Sequence, residues 1–287
     1  MKINLIILLP ILMLSCNNEN IIDGVEQVRT ITFGFESSLD NWVNLGGSGD
    51  RNFDDDIRIT SEVKLEGDYS CKFTVSPESI VSNGNRAELI FDQYAVENDE
   101  TWYSYSFYIP TDYKDVPLKD NTGLVNWQII GQWHQQPVFA DGEDWNSYTG
   151  GGENDSPPIA IYYNYLSTTD TNYQNLLNNS TLNSIHGFNQ NWNEVSTISI
   201  VYGSKSIAIC EITKGEWVSL KFSIKWSENT DGFIQAWKNG NEFTNGKIYG
   251  ANMLNRASHY FKFGLYRNPS IPHTNCLYFD DIKIWEN

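Results

Sequence analysis

The most regular feature of this sequence is the alternation of apolar and polar residues. Between residues 217 and 226 every second residue is apolar, from Val218 to Ile224, and the residues between them are Ser or Lys. Because successive side chains of a strand point to opposite faces of a sheet, this segment predicts a strand with one buried face. Residues 232–238 predict a second strand, and Asn239-Gly240 after it favours a tight hairpin turn, since both residues tolerate positive φ.

The same pattern recurs along most of the chain, and no long stretch has helical periodicity. Further strands are predicted at 29–35, 57–63, 69–75, 85–92, 101–109, 124–134, 158–166, 197–202, 207–212, 258–266 and 276–285. Many short strands separated by turn residues predict an all-β sandwich or jelly roll.

Two segments interrupt the alternation. Residues 140–157 are rich in Gly, Asp, Glu and Asn, and residues 167–193 are rich in Asn, Ser and Thr. Both are predicted to be long loops, which in a compact domain are more often functional than idle.

The N-terminal residues are typical of an export signal. An apolar run ends in Leu-Ser directly before Cys16, as in a bacterial lipoprotein signal. The prediction is a signal peptide at 1–15, a lipidated Cys16 opening a polar tether at 16–28, and a single domain at 29–287. The expected location is the bacterial outer membrane, on its periplasmic or cell-surface face. An ordinary signal peptide or an uncleaved anchor is the alternative.

The charge of the chain limits its partners. It has 19 basic and 36 acidic residues, for a net charge of −17. Such a surface repels phosphate, which argues against a nucleic-acid binder and, less strongly, against a highly sulfated ligand. A polyanion would bind only where the few Lys and Arg side chains gather in one groove.

Besides Cys16, the chain has Cys71, Cys210 and Cys276. An odd number cannot pair completely, and the spacing matches no zinc pattern. One disulfide and buried free thiols both stay open.

Three predicted strands combine an apolar face with a chemically varied polar face. They lie at residues 85–91, 128–134 and 260–266, and in each of them the alternation separates polar from apolar positions. The positions assigned to the polar face are Arg86, Glu88, Gln128, Gln132, His134, Tyr260, Lys262, Gly264 and Tyr266, with Ile129 and Trp133 on the other face. Gly264 is expected to leave room for a chain to lie close. A single polar strand face is usually only solvated, but Arg, Gln, His, Lys and Tyr on one face of three strands form a chemically coherent set.

These segments resemble a known family. Asn-Arg-Ala-Glu-Leu at 85–89, Gln-Trp-His at 132–134 and Tyr-Phe-Lys-Phe-Gly-Leu-Tyr at 260–266 are similar, in order and spacing, to the signature strands of the jelly-roll polysaccharide lyases. That group includes alginate lyases, glucuronan lyases and heparin lyase I. Alginate lyases of this type usually carry a second Arg where this chain has Ile90, which argues against alginate. The run Gln-Trp-His-Gln-Gln-Pro at 132–137 is more similar to the glucuronan and heparin lyase branch.

The resemblance implies a concanavalin-like β-jelly-roll sandwich of two antiparallel sheets with a concave substrate groove. It also implies β-elimination on a uronic-acid polysaccharide such as glucuronan, ulvan, alginate or a glycosaminoglycan. Arg86 and Gln132 would then hold the uronate carboxylate, and His134 would act as base or neutraliser. Tyr266 would protonate the leaving oxygen and, in a syn geometry, first remove the C5 proton. The substrate-binding residues implied are Lys262, Tyr260, Gln128 and Glu88, with Glu88 also suited to orient Arg86.

Two other functions stay open. A lectin-like glycan-binding module would need the aromatic residues and Arg86 but not His134 with Tyr266. A jelly-roll glycoside hydrolase would need two carboxylates across the scissile bond, and the sequence has no Glu-x-Asp-x-Glu strand.

The expected partners are an acidic polysaccharide and, through the lipid anchor alone, a membrane. The chain is expected to be a monomer, with no required cofactor. The acidic segments Asp141 to Asp144 and Glu153 to Asp155 offer oxygen ligands for a structural calcium ion, as in some members of the family. They lack a regular calcium-loop spacing, which favours a solvated loop.

Overall fold

The computed structural model describes most of the chain after the tether. The described residues are 30–39, 42–45, 56–81, 84–118, 125–148, 156–167, 184–186, 194–203 and 205–286. Residues 1–28, which contain the predicted signal peptide, Cys16 and the predicted tether, lie outside them, so the lipid anchor and the outer-membrane location stay predictions. Within these ranges, no helix is long and apolar enough to cross a membrane.

The described residues form β-strands joined by turns and loops, with one short 3-10 turn at Phe139–Asp141. The strands are β1 (Thr30–Phe33), β2 (Trp42–Leu45), β3 (Ile57–Thr60), β4 (Ser70–Val75), β5 (Ile80–Val81), β6 (Gly84–Ala95), β7 (Glu100–Tyr108), β8 (Gln128–His134), β9 (Ile159–Ser167), β10 (Ser184–His186), β11 (Glu194–Tyr202), β12 (Lys205–Ile212), β13 (Trp217–Lys225), β14 (Phe233–Lys238), β15 (Asn241–Glu242), β16 (Ile248–Tyr249), β17 (His259–Arg267) and β18 (Asn275–Glu286).

The strands build two sheets. Sheet 1 has the order β15-β14-β13-β7-β18-β4-β3, with β1 on β18 and β16 on β14. Sheet 2 has the order β10-β12-β11-β9-β8-β17-β6-β2, with β5 on β6. The described pairings are antiparallel apart from β10, which runs parallel to β12. The prediction of a jelly-roll sandwich of two antiparallel sheets is confirmed.

Aromatic side chains from both sheets meet in the core. Trp133 of sheet 2 contacts Phe222 of sheet 1 with ring centroids 5.2 Å apart, and Phe263 lies 5.5 Å from Phe73. Large aromatic side chains bury much apolar area and prefer such edge-to-face contacts. These contacts hold the inward side chains of β8 and β17 in the core. The alternate side chains of the same strands therefore point to the opposite face of sheet 2.

The structure confirms the predicted hairpin and contradicts one predicted loop. The hairpin prediction is confirmed, because Asn239 and Gly240 have φ values of 49° and 79° and join β14 to β15. β10 contradicts the prediction of a continuous loop at 167–193, since it adds to the edge of sheet 2. A strand of three residues, Ser184–His186, is too short for alternation to reveal.

The three cysteines that follow Cys16 form no disulfide in the described structure. Cys71, Cys210 and Cys276 are free thiols, and the first two are buried. Burial raises the pKa of the Cys71 and Cys276 thiols and raises that of Cys210 to about 12. Cys71 and Cys210 therefore act as small apolar core residues.

Gly264 has a structural role different from the one expected. Its φ is 139°, and a Cβ atom there would overlap the Ala87 carbonyl oxygen and lie 2.8 Å from the Glu88 Cα of β6. The missing Cβ atom thus makes room for the neighbouring strand, and the close approach of a ligand chain stays a prediction.

Replacing Gly264 by Ala is therefore expected to lower the free energy of unfolding by about 2–3 kcal/mol, through backbone strain and the clash with β6. Urea unfolding measures this loss. Gly142→Ala is the matched control, because Gly142 also has positive φ (82°) but nothing within 4 Å of its Cβ position. Equal losses in the two variants would contradict the role given to the β6 backbone.

Candidate active site

The three polar segments come together in sheet 2, where β17 lies between β8 and β6. Along β17, Tyr260 is opposite His134 and Lys262 is opposite Gln132 of β8, and Tyr266 is opposite Arg86 of β6. The side of sheet 2 away from the core that carries them is called the site face. It comprises Arg86, Glu88, Gln132, His134, Tyr260, Lys262 and Tyr266. All of these are buried except Tyr266, which is partly exposed, so the site face is recessed.

Gln128 does not share this face. β8 has an extra residue between Ile129 and Gly131 relative to β9. Ile129 therefore lies opposite Tyr266 of β17, and Gln128 lies opposite Arg267. Gln128 is 1% exposed and accepts a 2.6 Å hydrogen bond from the Tyr113 hydroxyl. The predicted faces of Gln128 and Ile129 are wrong, because a β-bulge reverses the side-chain alternation.

Glu88 orients the two groups expected to bind a carboxylate. Its Oε2 lies 3.4 Å from Arg86 Nη1, and its Oε1 accepts a hydrogen bond from the Gln132 side-chain amide. Glu88 is 1% exposed, so both oxygens are committed inside the protein. The expected Arg86–Glu88 pair is present, and it holds Arg86 and Gln132 side by side.

Arg86 and Tyr266 are packed against each other. The guanidinium carbon lies 3.7 Å from the centre of the Tyr266 ring, and Trp127 contacts the same ring edge-to-face at 4.7 Å. Gly84 makes room for the pair, since a Cβ there would lie 2.6 Å from Arg86 Nη2 and would overlap the Tyr266 ring. The sequence pattern did not identify Gly84 or Trp127 as residues of the site. Gly84 is separated from Arg86 by one residue, and that spacing could have placed it on the same face.

His134 is held in one tautomer. Its Nδ1 lies 2.7 Å from the Gln135 carbonyl oxygen, which can only accept, so Nδ1 carries the proton and Nε2 is the basic nitrogen. The ring is stacked on Tyr260 with centroids 5.6 Å apart. Burial, followed by the positive charge of Lys262, lowers the His134 pKa from 6.5 to about 3. The imidazole is therefore neutral at physiological pH.

The family is decided by sequence comparison. The model of the polysaccharide lyase family matches residues 37–283. This chain belongs to the polysaccharide lyase family. No curated protein matches the sequence of this polysaccharide lyase.

Solved structures share the fold of the lyase. The endo-β-1,4-glucuronan lyase from the fungus Trichoderma reesei has a TM-score of 0.54 and 16% identity, over 88% of this chain and 94% of that chain. A glycoside hydrolase family 131 β-glucanase catalytic domain from Podospora anserina has a TM-score of 0.51 and 10% identity, over 87% and 88%. At such identities the likeness shows the fold alone, and the chemistry has to be argued from the site.

The site face carries two cations and one carboxylate, although the net charge of the chain is −17. Arg86 and Lys262 both lie there and are buried, and Lys262 Nζ is 5.3 Å from the Tyr260 ring centre. Because Glu88 balances one of the two cations, the site face has a formal excess of one positive charge.

The described carboxylates of the acidic loop contact other groups of the protein. Asp141 is paired with Arg256, and Asp144 Oδ1 accepts hydrogen bonds from the backbone N–H groups of Asn146 and Ser147 at 2.9 and 3.0 Å. Across the described ranges, no cluster of three or more His, Cys, Asp or Glu side chains is arranged to hold a metal. Residues 153–155 lie outside those ranges.

Two buried histidines give the lyase a pH-dependent stability. Burial also lowers the pKa of His259, to about 4, on the core side of β17 beside Trp226. Below about pH 6.5 the unfolded chain protonates both imidazoles while the folded chain does not. The free energy of unfolding therefore decreases as the pH is lowered. The expected slope between pH 6 and 5 approaches about 1.4 kcal/mol per pH unit for each histidine.

Urea unfolding at several pH values between about 7 and 5 measures this slope. Asn substitution of His134 or of His259 should reduce it, and the double variant should reduce it most. A slope that neither substitution changes would contradict the neutral, buried state of these rings.

Proposed function

We propose that this lyase cleaves a uronic-acid polysaccharide by β-elimination and leaves an unsaturated uronate end. The observation that carries the proposal is the site face itself. It joins Arg86, Gln132, His134 and Tyr266 in one recess, with the Tyr266 ring 3.7 Å from the Arg86 guanidinium.

This chemistry first requires groups that stabilise the carboxylate of the substrate. Removing the C5 proton pushes negative charge onto the uronate carboxylate, so groups that donate to that carboxylate stabilise the transition state more than the ground state. Arg86 supplies a charge-assisted hydrogen bond, and Gln132 supplies its second amide hydrogen. Because Glu88 already orients both groups, little reorganisation is needed when the substrate binds.

Proton transfer is the second requirement. A base takes the C5 proton, the electron pair of that bond forms the C4–C5 double bond, the C4–O bond breaks, and the departing oxygen receives a proton. Tyr266 is partly exposed on the site face, and as phenolate it could take the C5 proton, after which the phenol so formed could protonate the departing oxygen. His134 Nε2 is the other basic group, but a pKa of about 3 gives it little driving force for removing a carbon-bound proton. Tyr266 is therefore the stronger candidate for the base as well as the acid.

The same geometry speaks against hydrolysis at this face. A hydrolase needs a carboxylate free to attack the sugar or to activate water. Glu88 is the carboxylate among the seven described residues of the site face, and it is buried and bound to both Arg86 and Gln132, so its oxygens are not available for either task. The lectin-like alternative gains no specific support, since it gives no role to the Tyr266 hydroxyl.

A substrate panel tests the proposal. The purified domain is incubated with glucuronan, ulvan, alginate and a glycosaminoglycan, and the near-ultraviolet absorbance of the unsaturated end is followed. Glucuronan is expected to react better than alginate, because Ile90 stands where alginate lyases usually carry a second Arg. The matched control is the same polymer with its carboxylates reduced to alcohols, which should not react. Equal cleavage of the reduced polymer would exclude carboxylate-assisted elimination.

A further inference from the structure

An exposed aromatic cluster lies beside the His134 end of the site face. Trp145 is 52% exposed and Phe139 is 56% exposed, in the loop that follows β8. The Trp145 ring contacts Phe139 at 6.1 Å, Tyr148 at 5.9 Å and Tyr260 at 6.3 Å, each time close to edge-to-face. Tyr260 in turn is stacked on His134. The cluster thus continues directly from the site face into solvent.

The described part of the loop is held by several contacts. The Gln136 side-chain amide donates to the Ser258 carbonyl oxygen at 2.8 Å, and the Val138 N–H donates to Glu143 at 2.8 Å. An ion pair with Arg256 fixes the 3-10 turn that carries Phe139. An aromatic surface fixed before binding loses little conformational entropy when a ligand covers it.

We propose that Trp145, supported by Phe139, stacks against a sugar ring of the polysaccharide chain next to the uronate held at Arg86, and so forms a binding subsite. The inference rests on the proposed function and extends it to a neighbouring sugar. Continuity with the site face identifies the occupant, because a chain lying along that face past His134 and Tyr260 reaches Trp145 next. The apolar C–H face of a pyranose ring suits an indole, while the exposed polar residues Asn146 and Ser147 border the cluster and suit sugar hydroxyls.

The test compares Trp145→Ala and Trp145→Phe with the wild type on a long polymer and on the shortest oligosaccharide that is cleaved. Trp145→Ala is expected to raise KM for the polymer about fivefold to tenfold with kcat nearly unchanged, since the subsite binds ground state and transition state alike. Trp145→Phe should keep most of the affinity. The short oligosaccharide should show a smaller effect if it does not reach the subsite.

Tyr249→Ala is the control, because Tyr249 is 63% exposed on β16 of the other sheet. Unchanged KM in Trp145→Ala, or an equal rise in Tyr249→Ala, would overturn the subsite. Calorimetric binding of the polymer to the wild type and to Trp145→Ala separates this inference from the reaction. If the wild type binds but does not cleave, and Trp145→Ala binds about fivefold to tenfold more weakly, the subsite stands and the proposed reaction fails. If the wild type binds no polymer, both fail.

Discussion

Tyr266→Phe is expected to lower kcat on the best uronate polymer by about 10²–10⁴-fold, the usual contribution of a positioned acid or base. The substitution removes one oxygen and leaves the ring that packs on Arg86 and Trp127. KM should therefore change little. Steady-state rates of absorbance increase measure both constants.

Tyr162→Phe is the matched control for this variant. Tyr162 lies on β9 opposite Ile129, on the same side of sheet 2, and burial raises its pKa. Its hydroxyl transfers no proton in the proposed reaction, so this variant should retain most of the wild-type kcat. Wild-type kcat in Tyr266→Phe, or an equally large loss in Tyr162→Phe, would remove the special role of Tyr266.

Arg86→Gln is expected to lower kcat/KM by about 10²–10³-fold, as for the loss of one preorganised donor to developing negative charge. It also leaves the buried Glu88 carboxylate without its cation, which destabilises the fold. The double variant Arg86→Gln with Glu88→Gln removes both charges and should recover stability.

The double variant separates catalysis from folding. Its urea unfolding midpoint is expected to approach that of the wild type, while its kcat/KM stays as low as that of Arg86→Gln. Recovery of activity together with stability would mean that Arg86 acts on folding and not on the substrate carboxylate.

Regular alternation predicted most of the site face. Arg86, Gln132 and His134 lie where the period of two places them, because β6 and the C-terminal half of β8 have regular register with β17. Gln128 was misplaced because the extra residue of a bulge leaves no mark in the pattern of apolar and polar residues. That bulge brings Ile129 onto the site face in its place.

Other properties of the site depend on contacts that a sequence does not contain. The low pKa of His134 arises from its burial and from Lys262, more than 120 residues away in the chain. The adjacency of β8, β17 and β6 could be expected only from the order of the family motifs. Trp145 lies in a segment that was predicted only as a loop, and its contact with Tyr260 appears only in the folded chain.

The most direct test of elimination counts two products of the same digest. New reducing ends and unsaturated ends are measured together as the wild-type domain degrades the best polymer of the uronate panel. One unsaturated end is expected for every new reducing end throughout the digest. Reducing ends that accumulate without near-ultraviolet absorbance would show hydrolysis and rule out elimination.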